Sequence, residues 1–510
     1  MRPPDAYDLA IIGGGVNGCG IATDAAGRGL KVILAEMGDL GGATSSASSK
    51  LVHGGLRYLE HYAFRLVREA LGEREVLLAK APHIVWPLRF VLPHVPSQRP
   101  RWMLRAGLIL YDHLYRRKAV PGSAGLDLRR DPGGRPLKPA LTHGFAYWDC
   151  WVDDARLVIL NARAAAQRGA EILPRSKVAA VRADGALWRL IIRSGSQERE
   201  VRARALVNAA GPWVDAVGSA IDAGAQARPE RRLRLVKGSH IVVPRIEGAD
   251  DAYLMQNADG RIVFALPYEE RFTLIGTTDI TYTGDPAAVA IDDAEIDYLT
   301  TVASGFFRRA IVRGDIVWSY SGVRPLYDDH ANNPSAVTRD YHLELDAGQG
   351  APPLLSVMGG KVTTYRRLAE EALERLKPHL PGMGPAWTAG APLPGGDIAI
   401  EGQLVTSPVA DFERFVNRLA ESKPGFDRGY LWRLARRHGA CASDVLGDAR
   451  SLADMGTMIG PSLTEREVVY LKENEWAASA DDILWRRTKA GLHLAAEERQ
   501  RASEAIAALL

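Results

Sequence analysis

"YDLAIIGGGVNGCGIATDAAGRGLKVILAE", residues 7–36, decides the fold. "DLAII" reads as a buried strand, Val16 to Arg28 as a helix rich in small residues, and "KVILAE" as a second strand. Gly13, Gly15 and Gly18 spell G-x-G-x-x-G where the strand meets the helix, and Glu36 closes the second strand. In such a unit the first glycine permits a tight turn, the second lets a pyrophosphate approach the backbone, and the third lets helix and strand pack closely. The helix N-terminus then faces the phosphates, and Glu36 can hold a ribose hydroxyl. This predicts dinucleotide binding, with NAD and FAD both open on the fingerprint alone. A reductase fed by NAD(P)H through a flavin often carries a second glycine fingerprint, and none is found in the chain. A single fingerprint suits a flavoprotein that reacts directly with its substrate.

Working outward, "TSSASSKLVHGGLRYLE", residues 44–60, follows two further glycines, Gly41 and Gly42. The hydroxyls of Thr44, Ser45, Ser46, Ser48 and Ser49 can line a path from pyrophosphate to flavin, where small side chains allow close approach and donate hydrogen bonds. A flexible serine-rich linker would not run straight into "KLVHGGLRYLE".

The whole chain bounds these readings. Its 510 residues imply two or three domains, and 46% hydrophobic with 25% charged residues is ordinary globular composition. A net charge of +3 does not suggest a nucleic-acid binder. Cys19, Cys150 and Cys441 lie far apart, which suggests neither a zinc site nor a disulfide framework and fits a reducing cytosol; no metal is expected. The apolar run in "MRPPDAYDLAIIGGG" is too short for a signal peptide, and no stretch approaches the roughly 20 apolar residues of a spanning helix.

Beyond these stretches, "CWVDDARLV", "LVNAAGPWVD", "KGSHIVVPR", "IGTTD", "SGVRPL", "TRDY" and "GGKVTTYRRLAE" occur in order along the chain. With the first two stretches they make a sequence that resembles, over nearly its whole length, the FAD-dependent glycerol-3-phosphate dehydrogenases of the bacterial aerobic, quinone-linked type. The resemblance implies an α/β fold with α+β elements: a Rossmann-like FAD-binding domain of the D-amino-acid-oxidase/glutathione-reductase type, an antiparallel-sheet substrate domain and a C-terminal helical cap. The expected boundaries are 1–80, 145–220 and 335–380 for a discontinuous FAD domain, 81–144 and 221–334 for the substrate domain, 381–396 for a Pro- and Gly-rich linker, and 397–510 for the cap.

Within that frame the cofactor candidates are Gly13, Gly15, Asn17, Gly18, Glu36, Thr44, Ser45, Ser46, Ser48, Ser49, Gly54, Gly211, Gly359, Gly360, Lys361, Val362 and Thr363. The turn at Gly359 and Gly360 precedes a helix starting near Thr363, whose N-terminus would meet the negative edge of a reduced flavin. A small phosphate ester needs several cations, and the resemblance implies that Arg57, Arg324, Arg339 and Lys361 converge over the flavin with Tyr58 beside them. The implied reaction is oxidation of sn-glycerol 3-phosphate to dihydroxyacetone phosphate, with ubiquinone as acceptor. His53 and His240 are the titratable candidates for the base, and the sequence does not choose between them; Arg324 can stabilise an alkoxide. A homodimer attached peripherally to the cytoplasmic face of the membrane is expected. The rivals are an oxidase passing electrons to oxygen, an amine oxidase of the same fold, and a non-catalytic flavin-binding sensor.

One further segment, "RPRWMLRAGLILYDHLYRRK" at residues 99–118, places Leu104, Leu108, Tyr111 and Tyr115 on one helical face flanked by cations. It reads either as a core-facing helix with a charged exterior or as a helix lying on anionic lipid.

Overall fold

The computed structural model describes residues 6–95, 99–222, 233–257, 259–327, 340–348 and 351–510. The chain opens with strand β1 (Tyr7–Ile12), helix α1 (Val16–Gly27) and strand β2 (Val32–Ala35). β1 and β2 pair in parallel, Leu9 opposite Val32 and Ile12 opposite Ala35. Buried on both faces, these strands read as continuous apolar runs rather than alternating ones.

The chain then leaves this sheet. Helices α2 (Phe64–Lys80) and α3 (Arg101–His113) follow, and α4 (Asp154–Ala166) returns to pack against α1. Asp153 caps α4, its side chain accepting from the Arg156 N–H. Strand β3 (Gln197–Asn208) enters beside β1, with Ile12 opposite Asn208.

A second, ten-stranded sheet of mainly antiparallel pairs carries β4 (Leu233–Pro244) and β5 (Trp318–Tyr327), matched residue for residue from Leu233–Tyr327 to Val242–Trp318. The chain re-enters the first sheet at β6 (Leu354–Met358), parallel to β3, and runs through a short 3-10 turn into α5 (Tyr365–Leu376), which packs on α1. The first sheet is therefore assembled from three distant stretches of chain, 7–35, 171–222 and 342–358. Its core lies between the sheet and α1, α4 and α5.

The C-terminal part has its own apolar core and includes α6 (Arg428–His438) and α7 (Glu465–Glu475). Residues 381–396, expected as a linker, run from α5 to the C-terminal part and are anchored at several points along their length. Thr388 and Leu393 are buried, the Thr388 carbonyl accepts from Lys80 Nζ, and the Leu393 N–H donates to the Lys80 carbonyl at 3.0 Å. The glycines here serve close approach: a Cβ at Gly395 would fall 2.1 Å from the His438 carbonyl oxygen, and one at Gly396 1.9 Å from that of Lys80.

Candidate active site

Two cavities that share part of their walls run between the sheets. The larger, about 590 Å³, is lined by Gly13, Gly15, Glu36, Thr44, Ser45, Ser46 and Gly211 among others. The smaller, about 240 Å³, is lined by Asn17, Ser48, Ser49, His53, Tyr58, His240, Arg324, and Gly359 to Thr363. Gly15, Thr44, Ser45 and Gly211 face both.

The backbone explains the larger one. Gly13 has φ +109°, and a Cβ there would meet the Ala209 carbonyl oxygen at 2.4 Å, so the turn closes only with glycine. Gly15 instead faces the slot; its Cβ would sit 3.1 Å from Ser45 Oγ. Gly18 is buried beneath the turn, where a Cβ would fall 1.9 Å from the Gly13 carbonyl oxygen, so its part is packing. The Glu36 carboxylate accepts from the Gly14 and Gly38 N–H groups at 2.6 and 2.7 Å. Burial raises its carboxyl pKa against the pull of those amides.

The smaller cavity is a trough in the second sheet. Val236 lies opposite Arg324, Gly238 opposite Gly322, and His240 opposite Tyr320, so all six share one face. The two opposed glycines empty the middle of that face. A Cβ at Gly238 would meet Arg324 Nη2 at 2.1 Å, and one at Gly322 would meet Ala47 Cβ at 2.8 Å. The guanidinium therefore lies along the trough and the 44–49 loop drops into it. Arg324 is held by Asp279, and its Nη2 donates to Thr277 Oγ1 at 3.0 Å.

His240 is buried and stacked on Tyr320, with centroids 4.8 Å apart and planes 15° apart. Its Nε2 lies 2.9 Å from Ser49 Oγ, while Nδ1 has no hydrogen-bond partner among the described residues. Burial, reinforced by the charges of Arg324 and Lys50, pushes its pKa well below the usual value near 6.5, so the ring is neutral. Across the cavity, Lys361 Nζ lies 3.7 Å from the centroid of the Tyr58 ring. The His53 N–H donates to Thr363 Oγ1 at 3.2 Å.

Not every expected residue lines a cavity. Gly54 is buried behind the wall, its N–H donating to Tyr111 Oη at 2.9 Å. Arg57 lies on the 3-10 turn Leu56–His61 and lines neither cavity. Successive side chains on such a turn point about 120° apart, so Tyr58 turns to Lys361 while Arg57 points elsewhere. Arg339 lies outside the described residues.

The structure also adds residues. Lys50 Nζ is buried against Asp154 Oδ1 at 2.8 Å and lies 5.0 Å from the centroid of the Tyr320 ring. Trp485, Arg486 and Lys489 of the C-terminal part line the larger cavity, with Trp485 stacked on Trp318 at 4.8 Å. Lys50 lay within the serine-rich stretch and Asp154 within "CWVDDARLV", but only long-range pairing marks them as partners.

These features fit a flavin dinucleotide: a glycine cradle a Cβ would fill, a hydroxyl-lined path, and the buried Asn17 Oδ1, which has no hydrogen-bond partner among the described residues. Among the described residues no cluster of three or more His, Cys, Asp or Glu could hold a metal ion.

Comparison with known proteins agrees with the geometry. The family described as FAD dependent oxidoreductase matches residues 8–366, and that described as the C-terminal domain of alpha-glycerophosphate oxidase matches 386–510. The chain is 53% identical to D-erythritol 1-phosphate dehydrogenase of Brucella abortus, over 98% of this chain and 97% of that protein. It is also 53% identical to glycerol-3-phosphate dehydrogenase of Pseudomonas aeruginosa, over 98% and 94%. The structure of glycerol-3-phosphate dehydrogenase from Bacillus halodurans complexed with FAD superposes with a TM-score of 0.76 at 27% identity, covering 98% of this chain and 94% of that one.

Proposed function

The chain belongs to the FAD-dependent oxidoreductase family, and from that premise we propose that it is a dehydrogenase oxidising the C2 hydroxyl of sn-glycerol 3-phosphate to give dihydroxyacetone phosphate. The observation that carries the reading is the glycine trough, which sets a guanidinium and a neutral, buried imidazole on one face of one sheet. When bound, FAD supplies the acceptor for the hydride that leaves C2. Arg324 and Lys361 bind the phosphate, Arg324 as a fork and Lys361 as a point charge, with Tyr58 beneath the ammonium. His240, which lines the smaller cavity, takes the hydroxyl proton: it is neutral, and Ser49 orients its Nε2. His53 serves through its backbone, tying the substrate loop to Thr363. Gly13, Gly15, Asn17, Glu36, the 44–49 hydroxyls, Gly211 and the 359–363 turn hold the cofactor, while Gly18 and Gly54 support the walls from behind.

In this reading the acceptor is ubiquinone, the enzyme works as a homodimer, and it reaches the cytoplasmic face of the membrane by surface contact. No helix among the described residues is long and apolar enough to cross a membrane. A second substrate is favoured by one observation, the equal identity to a D-erythritol 1-phosphate dehydrogenase.

The test is anaerobic mixing of the yellow protein with each polyol phosphate, followed by a ubiquinone analogue. Bleaching of the flavin band by sn-glycerol 3-phosphate and recovery with quinone are expected. A higher kcat/KM for D-erythritol 1-phosphate would move the assignment to the longer polyol. Rapid peroxide formation without quinone would make the enzyme an oxidase, and a folded, flavin-loaded protein bleached by neither substrate would sink the proposal.

A further inference from the structure

The trough residue Arg324 is held by a bulge in the strand beside it. β4 pairs antiparallel with Phe272–Gly276 as far as His240 opposite Gly276, and pairing resumes with Lys237 opposite Ile280 on the strand Ile280–Thr281. Between these pairs Thr277, Thr278 and Asp279 stand against Gly238 and Ser239, one residue in excess. All three hold the guanidinium: Thr277 Oγ1 and the Thr278 carbonyl accept from Nη2 at 3.0 and 3.3 Å, and Asp279 pairs with Nη1. An excess residue leaves the register open, and a slip of one position would carry the Asp279 carboxylate to the other face of the sheet.

The Thr278 side chain points the opposite way and ends in a buried polar network. Its Oγ1 accepts from the Ser239 N–H at 2.9 Å and donates to Glu295 Oε1 at 2.6 Å, so the hydroxyl joins the two strands where the ladder is interrupted. Ser239 Oγ donates to the same carboxylate oxygen at 2.9 Å and lies 2.8 Å from Ser321 Oγ on β5. Lys237 Nζ lies 2.8 Å from Glu295 Oε2, which gives the buried carboxylate its counter-charge. Lys237, Ser239 and Ser321 occupy the face away from the trough, one residue out of step with Gly238, His240 and Gly322. Glu295 reaches them from the helix Asp293–Phe306. Ser239, Thr278 and Glu295 are each at most 1% exposed and line neither cavity. A fully satisfied buried network fixes one geometry. We infer that Thr278 and Glu295 are positioning residues for Arg324: the network pins the bulge from behind, and the pinned bulge aims the guanidinium along the trough at the substrate phosphate. This rests on the phosphate role proposed for Arg324 above.

The test uses the flavin-loaded, full-length protein with sn-glycerol 3-phosphate for turnover and inorganic phosphate for binding, read from the flavin absorbance. Thr278→Val keeps the volume and removes the hydroxyl that pins the bulge. KM and the phosphate dissociation constant are both expected to rise about tenfold, with kcat within about threefold of wild type. Thr278→Ser keeps the hydroxyl and is expected to stay within about twofold of wild type. In an Arg324→Gln background, Thr278→Val should change the phosphate constant less than about twofold, since the pin then has nothing to aim. A general loosening of the fold would weaken phosphate binding equally in both backgrounds, and that result would overturn the inference. Unchanged constants in Thr278→Val would do the same. If Thr278→Val loses its flavin, Ser239→Ala decides, because it withdraws one donor from Glu295 and leaves the backbone bond to Thr278. A rise of about threefold there supports the pin, and no rise overturns it. Absent turnover in a wild type that binds phosphate would remove the proposed reaction and leave the phosphate constants to judge the pin.

Discussion

His240 and Lys361 divide the proposed chemistry between proton and phosphate, and each makes a separable claim. Replacing His240 with Asn keeps a similar volume beside Tyr320 and removes the base; kcat is expected to fall about 10²–10⁴-fold with flavin content unchanged. Because burial and two cations hold the imidazole neutral, the acid limb of kcat/KM in the wild type is expected below pH 6.5 once the substrate phosphate's own ionisation near 6 is allowed for. A limb above pH 7 would remove His240 from that role. Lys361→Met should chiefly raise KM, by roughly 10–150-fold, the range for losing one charge-assisted bond. The histidine pair shows where residue-level reading ends. "VHGG" and "KGSH" look equivalent as strings, and only the cross-strand register that stacks His240 on Tyr320 distinguishes them.

At the scale of elements, the β1–α1 turn and the β4–β5 trough are glycine structures whose positions are not interchangeable. Gly15→Val should fold, by far-ultraviolet circular dichroism, yet purify with flavin occupancy reduced more than tenfold, because the new side chain enters the slot beside Ser45. Gly18→Ala should instead lower the melting temperature, since its Cβ collides with the Gly13 carbonyl within the turn. The reverse pattern in the two variants would contradict the geometry. The turn was readable beforehand because strand, helix and terminal acid keep a fixed local spacing. The trough was not. Gly238 and Gly322 are 84 residues apart, and nothing local says that they face each other. Arg57 is expected over the flavin from the family motif, but a motif string does not carry the side-chain directions of the 3-10 turn Leu56–His61, on which Tyr58 lines the smaller cavity and Arg57 lines neither. In the segment 381–396 the Pro and Gly composition marks a connection, and only the close approaches at Gly395 and Gly396 show where it is anchored.

Across the whole molecule, the C-terminal part is latched to α4 by buried charge. Arg156 Nη2 donates to Glu475 Oε1 at 2.9 Å, and Arg163 and His438 lie close by. Burial pushes the Glu475 carboxyl up, but Arg156 and its hydrogen bonds, with His438 and Arg163, bring it down to about 2. Glu475→Gln leaves Arg156 buried without its charge partner and is expected to destabilise by about 3–5 kcal/mol, read as a lower denaturant midpoint and earlier proteolytic release of the C-terminal part. His83, His240 and His438 are all held below their usual pKa, burial being the first cause in each. Below pH 6.5 the unfolded chain takes up protons that the folded one refuses. Stability should therefore fall as pH drops from 6.5, by up to about 1.4 kcal/mol per pH unit per histidine. Glu475 adds to the loss only below about pH 4.5, where the unfolded carboxylate begins to protonate. His83→Leu should flatten the slope between pH 6.5 and 5, and an unchanged slope would exclude His83 from it.

The first sheet also sets an order in time. Its cradle closes against Ala209, and β6 and the 359–363 turn belong to chain that a ribosome delivers roughly 340 residues after β1. At 5–20 residues per second, that leaves roughly 20–70 s in which β1 exists without β6 two places along the sheet. Through that interval a nascent chain has neither a complete sheet nor a flavin edge. Cofactor capture is thus a late event in synthesis, and chains arrested before about residue 360 should emerge colourless.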